Sequence, residues 1–328
     1  MTQIAKDVLE RYQVRKSKKQ KDAFIAYVRE LAEQRGYDLK IEKGSFGARN
    51  IVIGDPERAK VLYTAHYDTC AWLPFPNFIT PKSPLIWILY QLATTLLFIV
   101  LPVFLLFFAG LFLYACIGAL LSFLLPIDGD IWSAVGGELV APILFLVLWF
   151  GAFALMIAGP ANRHTANDNT SGTVLLLEIL DALPKEQRDK VCLVFFDLEE
   201  AGLFGSASFA KTHKSVMKNT LLLNFDCVSD GDHLLFVAGK GAREDCALIA
   251  AAFEGSDEKT VEVLSKGAVY PSDQMNFKRG VGVSSLKRSK KFGLLYMDRI
   301  HTAKDVVFME ENIALLKAGA LKLPQLLV

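Results

Sequence analysis

From Ser83 to Ile127 the chain carries no charged residue, and a second charge-free run extends from Leu139 to Pro160. Both runs are rich in Leu, Phe and Ile. A helix needs about 20 apolar residues to cross a bilayer, so either run suffices and the first exceeds the requirement. A buried core helix is the competing explanation, but no ordinary core helix stays uncharged for so long. The two runs therefore predict membrane insertion, and the rest of the chain must fold around an excursion into lipid.

Outside these runs, length and composition set only broad bounds. The 328 residues suffice for one large domain with an insertion, or for two domains. A net charge of +1 gives no reason to expect nucleic acid as a partner. The five cysteines, Cys70, Cys116, Cys192, Cys227 and Cys246, are scattered and form no CxxC pair. That pattern speaks against a disulfide framework or a structural zinc knot. The basic, amphipathic start lacks the short apolar core of a signal peptide.

Residues 4–36 read as a helix with Phe24, Val28 and Leu31 on its apolar face, stopped by Gly36. Short strands are expected at 38–43 and 49–54, separated by a turn through Gly44–Gly47. KVLYTA, Lys60–Ala65, reads as a core strand running into His66, Tyr67 and Asp68. Beyond the insertion, HTANDNTSG (164–172) leads into a helical run at 173–183. Further strands are expected at 191–196, 220–225, 233–238, 260–264 and 293–297. Helices are expected near 203–214, 243–254 and 310–326, and AVYPSDQMNF (268–277) reads as a loop. This alternation indicates an α/β domain.

The richest stretch is VCLVFFDLEEAGLFGS, Val191–Ser206. Its apolar opening reads as a buried parallel strand, with Asp197, Glu199 and Glu200 at the carboxyl end, where open α/β sheets place their sites. Two adjacent glutamates repel unless something positive sits between them, and a metal ion would resolve this. A solvated acidic loop is the alternative. His66 and Asp68, two apart at a strand end, fit a metal ligand and the carboxylate that orients it, against a histidine that merely satisfies a carbonyl. Asp168 could be helix-capping chemistry. Together His66, Asp168, Glu199, Glu200, Asp226 and His301 all fall at strand ends, or at a helix start for Asp168. A set of histidines and carboxylates without cysteine suits zinc, and the excess of carboxylates points to a two-metal hydrolytic site.

HYD at 66–68, NDNTSG at 167–172, EEAGLFGS at 199–206, NFD at 224–226, SDQ at 272–274 and IHT at 300–302 occur in this order. The series resembles the signature of the zinc aminopeptidases of metallopeptidase family 28, over roughly residues 18–70 and 161–328. The resemblance implies a mixed, mostly parallel sheet flanked by helices, interrupted here by a transmembrane helical insertion. It also implies two Zn2+ per chain, bridged by Asp168. His66 and Asp226 would complete one metal's ligands, and Glu200 and His301 the other's. Glu199 would be the general base, Asp68 would orient His66, and Tyr270 is a candidate oxyanion donor, a packing tyrosine being the alternative. SDQ stands where SDH is more usual, so Gln274 alters the pocket wall. His164, His213 and His233 read as surface or structural.

The expected organisation is residues 1–71 and 161–328 as one catalytic domain, with 72–160 as the membrane insertion. If His66 and Asp168 share a site, the number of crossings is even. Two are expected: one in the part of 85–125 divided by Pro102 and Gly110, and one at about 139–159. The remainder of the first run would lie in the interface or re-enter, and four short crossings is the alternative. Lys82 and Arg163 flank the insertion, while the connecting loop holds Asp128, Asp130 and Glu138. Positive residues stay inside, which puts the catalytic domain in the cytoplasm. The function expected is a membrane-anchored di-zinc aminopeptidase that cleaves N-terminal residues or small amide bonds of peptide or amide substrates, apolar ones favoured by the insertion's nearness to the bilayer. The alternatives are a glutaminyl-cyclase-like single-zinc acyltransferase and a non-catalytic membrane receptor. Oligomeric state is left open.

Overall fold

A computed structural model describes residues 1–125 and 129–327, so Asp128 of the connecting loop lies outside the described residues. The chain divides into two compact units, Met1–Trp87 with Ala161–Val328, and Ile88–Pro160.

In the first unit, β1 (Leu39–Lys43) and β2 (Arg49–Ile53) form a hairpin, followed by β3 (Val61–His66). Beyond the insertion come β4 (Val191–Phe196), β5 (Leu221–Phe225), β6 (His233–Ala238), β7 (Thr260–Leu264), β8 (Gly280–Arg288) and β9 (Leu295–Tyr296). Among the described residues they form one sheet in the order β1-β2-β4-β3-β5-β8-β6-β7, with β9 on β8. β3 pairs in parallel with both β4 and β5, and β5 with β8, whereas β2–β4 and β6–β8 are antiparallel. The sheet is mixed, as expected.

The central strands are mostly apolar because both faces are covered. On one face Ile51, Tyr63, Leu193 and Leu223 pack with the helices Lys18–Gln34, Gly172–Ala182 and Glu310–Leu326. On the other, Val52, Leu62, Val194 and Leu222 pack with Phe209, Val216 and Phe277. The helix expected at 4–36 is two helices, Gln3–Arg11 and Lys18–Gln34. They are separated because Ser17 and Gln20 form a capping box that starts a new helix. β8, a central nine-residue strand, was not anticipated from the sequence. Gly280 and Gly282 lower its strand propensity, yet a Cβ at either would lie within 2.6 Å of Gln274.

Two helices, Pro84–Leu124 and Gly129–Ala158, of 41 and 30 residues, make up most of the second unit, the first of them beginning in the first unit, and both are long and apolar enough to cross a membrane by length and composition. The first runs through Pro102 and Gly110 without the expected division. A π-turn at Leu96–Val100 precedes Pro102, which falls in the first turn of the Leu101–Leu124 segment and so removes no bond from its interior. Small residues allow the helices to approach, since a Cβ on Gly110 would meet Leu144 at 2.6 Å. Leu105, Leu113, Val147 and Phe150 face outward.

Candidate active site

β3 is where the strand order reverses, its sequence neighbour β4 lying on one side and β5 on the other. Such a switch point opens a crevice at the carboxyl ends of the strands. His66 is the last residue of β3 and lies in register with Phe196, the last of β4. Three residues past Phe196 comes Glu199, then Glu200. Asp226 follows the end of β5.

The segment Ala166–Ser171 supplies Asp168 and fastens its neighbours. Asn167 Oδ1 accepts the amides of Ser229 (2.8 Å) and Asp230 (3.0 Å). Asn169 donates to the Phe225 carbonyl at 2.9 Å, and Ser171 Oγ accepts the Val228 amide at 2.9 Å. The polar residues of NDNTSG thus clamp the loop that carries Asp226 and leave Asp168 facing the crevice. A Cβ on Gly172 would lie 2.2 Å from the Phe225 carbonyl oxygen, so glycine alone fits this close crossing.

The expected ligands converge. His66 Nε2 lies 3.3 Å from Asp168 Oδ1 and 3.5 Å from Asp226 Oδ1. His301 Nε2 lies 3.2 Å from Asp168 Oδ2 and 3.5 Å from Glu200 Oε2. Donor atoms of His66, Asp168 and Asp226 fall within 4.8 Å of one another, as do those of Asp168, Glu200, His301 and Cys70. These two groups share Asp168, and donor atoms of His66, Glu199 and Glu200 form a third. Glu199 Oε2 lies 4.0 Å from His66 Nε2. Leu198, Cys227 and His301 take positive φ of 55°, 56° and 65°, strain of about 1 kcal/mol or more each, held at a site as often happens.

Burial opposes charge on His66, but Glu199, Asp168, Asp226 and Asp68 outweigh it and push the imidazole well above its usual range. Burial also pushes Glu199 and Glu200 well up, reinforced by neighbouring carboxylates. Asp168 resists the same burial because His301 and His66 bond to it, and it lies below the ordinary aspartate range. Among the described residues Glu200 Oε1 and Asp226 Oδ1 are buried with no hydrogen-bond partner. Buried acceptors left over beside two imidazoles are what divalent cations would satisfy, and the donor set fits zinc.

Asp68 takes a larger part than expected. Its Oδ1 is 3.6 Å from His66 Nδ1, which lies closer to the Asp68 carbonyl at 3.1 Å. Its firmer bonds are to the amides of Glu199 (3.1 Å) and Glu200 (3.2 Å). Tyr270 is buried and donates to the Asp226 carbonyl at 3.1 Å. Gln274 bonds Asn224 and the Tyr270 carbonyl and stays within the wall. His213 lies between Glu42 and Glu57, and His233 between Glu262 and Arg288, away from the ligands. His164 is exposed and joins neither ligand group.

Four residues were missed from the sequence. Cys70, directly after HYDT, joins the second ligand group, its thiol pushed well up by burial. Asp305, four residues past His301, accepts the amides of Asn167 (2.7 Å) and Asp168 (3.0 Å), and burial pushes it up to about 8. Asp273, part of SDQ, is wholly buried and pushed up to about 7 by that burial. Arg15, fully buried between the first two helices, donates to the Tyr67 carbonyl (2.5 Å) and Thr170 Oγ1 (3.1 Å). It ties together the loops bearing Asp68 and Asp168.

The model of peptidase family M28 matches residues 154–323. In fold the chain is similar to the LapA aminopeptidase of Legionella pneumophila, at TM-score 0.54 and 12% identity, covering 99% of this chain and 69% of that one. It is similar to the glutaminyl cyclase of Porphyromonas gingivalis at TM-score 0.58 and 13% identity, covering 99% and 96%. A leucine aminopeptidase precursor from Bacteroides thetaiotaomicron gives 0.53 and 13%, covering 98% and 93%. No curated protein sequence matches. With the family model spanning over half of the sequence, the chain belongs to peptidase family M28.

Proposed function

We propose that the chain is a membrane-anchored, di-zinc hydrolase of the aminopeptidase type, acting on peptides or small amides. The observation that carries this reading is Asp168, one buried carboxylate whose two oxygens face His66 at 3.3 Å and His301 at 3.2 Å. On this reading Asp168 would be shared by two zinc sites, one that His66 and Asp226 would complete and one that Glu200 and His301 would complete. Zinc bound there would act as a Lewis acid and lower the pKa of water toward 7. Glu199 takes the proton of the attacking water and returns it to the leaving amine. Its backbone amide is fixed by Asp68, and burial raises its affinity for protons, as a base working near neutral pH requires. A receptor with no chemistry would not need Glu199.

Membrane anchoring is supported by the two apolar helices and by the ends of the insertion. Ala71 bridges Ala161, and the Asn162 amide donates to the Cys70 carbonyl at 3.1 Å. The chain therefore returns to the point it left, as an even number of crossings requires. Lys82 and Arg163 on the flanks, against Asp130 and Glu138 in the opening turns of the second helix, favour a cytoplasmic catalytic unit. That position favours apolar substrates delivered from the bilayer.

Glutaminyl cyclization is the second reading, favoured by the fold similarity to the Porphyromonas gingivalis enzyme over nearly its whole length. The test offers the purified full chain aminoacyl anilides and a glutaminyl peptide, with and without chelator. The hydrolase reading expects chelator-sensitive anilide cleavage restored by zinc, and no cyclization. Cyclization without cleavage would overturn it.

A further inference from the structure

We propose that the turn joining β8 to β9 is a second membrane contact, a basic and aromatic tip that seats on anionic phospholipid headgroups. The proposal rests on the membrane reading above.

β8 and β9 pair through Lys287 with Tyr296 and Arg288 with Leu295. The connection is closed: the Ser289 amide donates to the Leu294 carbonyl at 2.8 Å, and the Gly293 amide to the Ser289 carbonyl at 2.9 Å. Gly293, at φ 65°, makes the reversal. This small frame leaves Lys290, Lys291 and Phe292 exposed, the phenylalanine at 76%. The neck cations are occupied: Lys287 pairs with Asp298, and Arg288 donates to His233 at 3.2 Å. Among the described residues no carboxylate pairs with Lys290 or Lys291. The Lys291 ammonium lies 5.1 Å from the Phe292 ring centroid. An aromatic ring held out in water beside two cations that no carboxylate pairs has the composition of an interfacial contact.

The neck of this hairpin is fastened to the segment that enters the first apolar helix. Ile79 bridges Met297, and the Phe78 and Tyr296 rings lie 5.9 Å apart. Lys82 bonds Glu262 (2.7 Å), Glu262 bonds His233 (2.8 Å), and the other nitrogen of His233 meets Arg288. That helix begins at Pro84, and five extended residues reach at most about 18 Å. The hairpin neck is therefore held within that distance of the helix start, inside one compact unit. The tip offers three exposed side chains, two cationic and one aromatic. That suits a fluid anionic surface, where each lysine strengthens attraction roughly fivefold, better than a folded partner.

The test places the full chain in nanodiscs of phosphatidylcholine and brominated phosphatidylglycerol and reads tryptophan quenching. Phe292→Trp is compared with the parent chain and with Phe46→Trp, a second phenylalanine of the same unit, 80% exposed. The proposal expects the added Phe292→Trp emission to be quenched at least twofold more than that of Phe46→Trp. The excess should disappear when Lys290→Glu and Lys291→Glu are combined with it. Equal quenching at the two positions overturns the proposal, and quenching that survives charge reversal overturns its anionic specificity. The parent's own tryptophans, three of the four in the two apolar helices, separate the two readings: quenched in the parent while the added Phe292→Trp emission is not, they leave the anchoring intact and sink only the hairpin contact. Unquenched, they overturn both.

Discussion

Replacing Asp68 by asparagine changes one oxygen for an amino group and leaves the volume alone, yet the consequences should be large. Burial works against the Asp68 charge, but His66, Lys21 and the Glu199 amide hold the carboxyl below its usual range, so it stands ionised. Its two oxygens accept separate amides, Glu199 at 3.1 Å and Glu200 at 3.2 Å. A carboxamide has one acceptor, so one of these amides must face an NH2 group. Each hydrogen bond to a charged group contributes about 1.5–3 kcal/mol, and losing one while burying an unmatched donor costs at least that. For a unit of this size about 2–4 °C is lost per kcal/mol, giving a fall of roughly 5–10 °C in the unfolding midpoint. The same change loosens the loop bearing Glu200 and the partner of His66, so zinc affinity should fall about 10–100-fold. Calorimetry of the chelated protein reads the first effect, and competition with a zinc indicator reads the second. An Asp68→Asn chain with unchanged midpoint and unchanged zinc affinity would refute the role assigned to this carboxylate.

Glu199→Gln should bind zinc as the parent does while its turnover falls about 10²–10⁴-fold, checked by titration and steady-state kinetics; an equal loss of metal would make Glu199 a ligand instead. The chelated protein should be more stable at pH 5 than at pH 8. Asp273 and Asp305 rise from 3.8 to about 7 and about 8, and Glu199 and Glu200 rise from 4.5, so the folded chain holds protons that the unfolded chain has already released. His66, raised as well, loses its charge later in the folded chain, which acts in the same direction. Stability therefore falls as pH climbs through this window, and calorimetry at the two values checks it; a higher midpoint at pH 8 contradicts the electrostatics.

What the sequence made legible was whatever local pattern dictates. β3, β4 and β5 are buried on both faces, so they read as largely apolar runs, and the residues at or just past their ends could be named as candidate ligands. The break before Lys18 carried its own signal, Ser17 and Gln20 at capping-box spacing, overrun by the apolar periodicity that continues beyond it. β8 stayed hidden because its glycines serve Gln274 across a turn, a demand that comes from tertiary contact. Arg15 and Asp305 act on loops remote in the chain, Arg15 on Thr170 and Asp305 on Asn167. Nothing near them in sequence records that service.

The most direct measurement is the zinc content of the purified full-length chain, by mass spectrometry of the metal against protein concentration. Two zinc ions per chain are expected, falling to about one when Asp226→Ala or His66→Ala empties a single site. One ion in the unaltered chain, or none, would contradict the two-metal centre on which the hydrolase account stands.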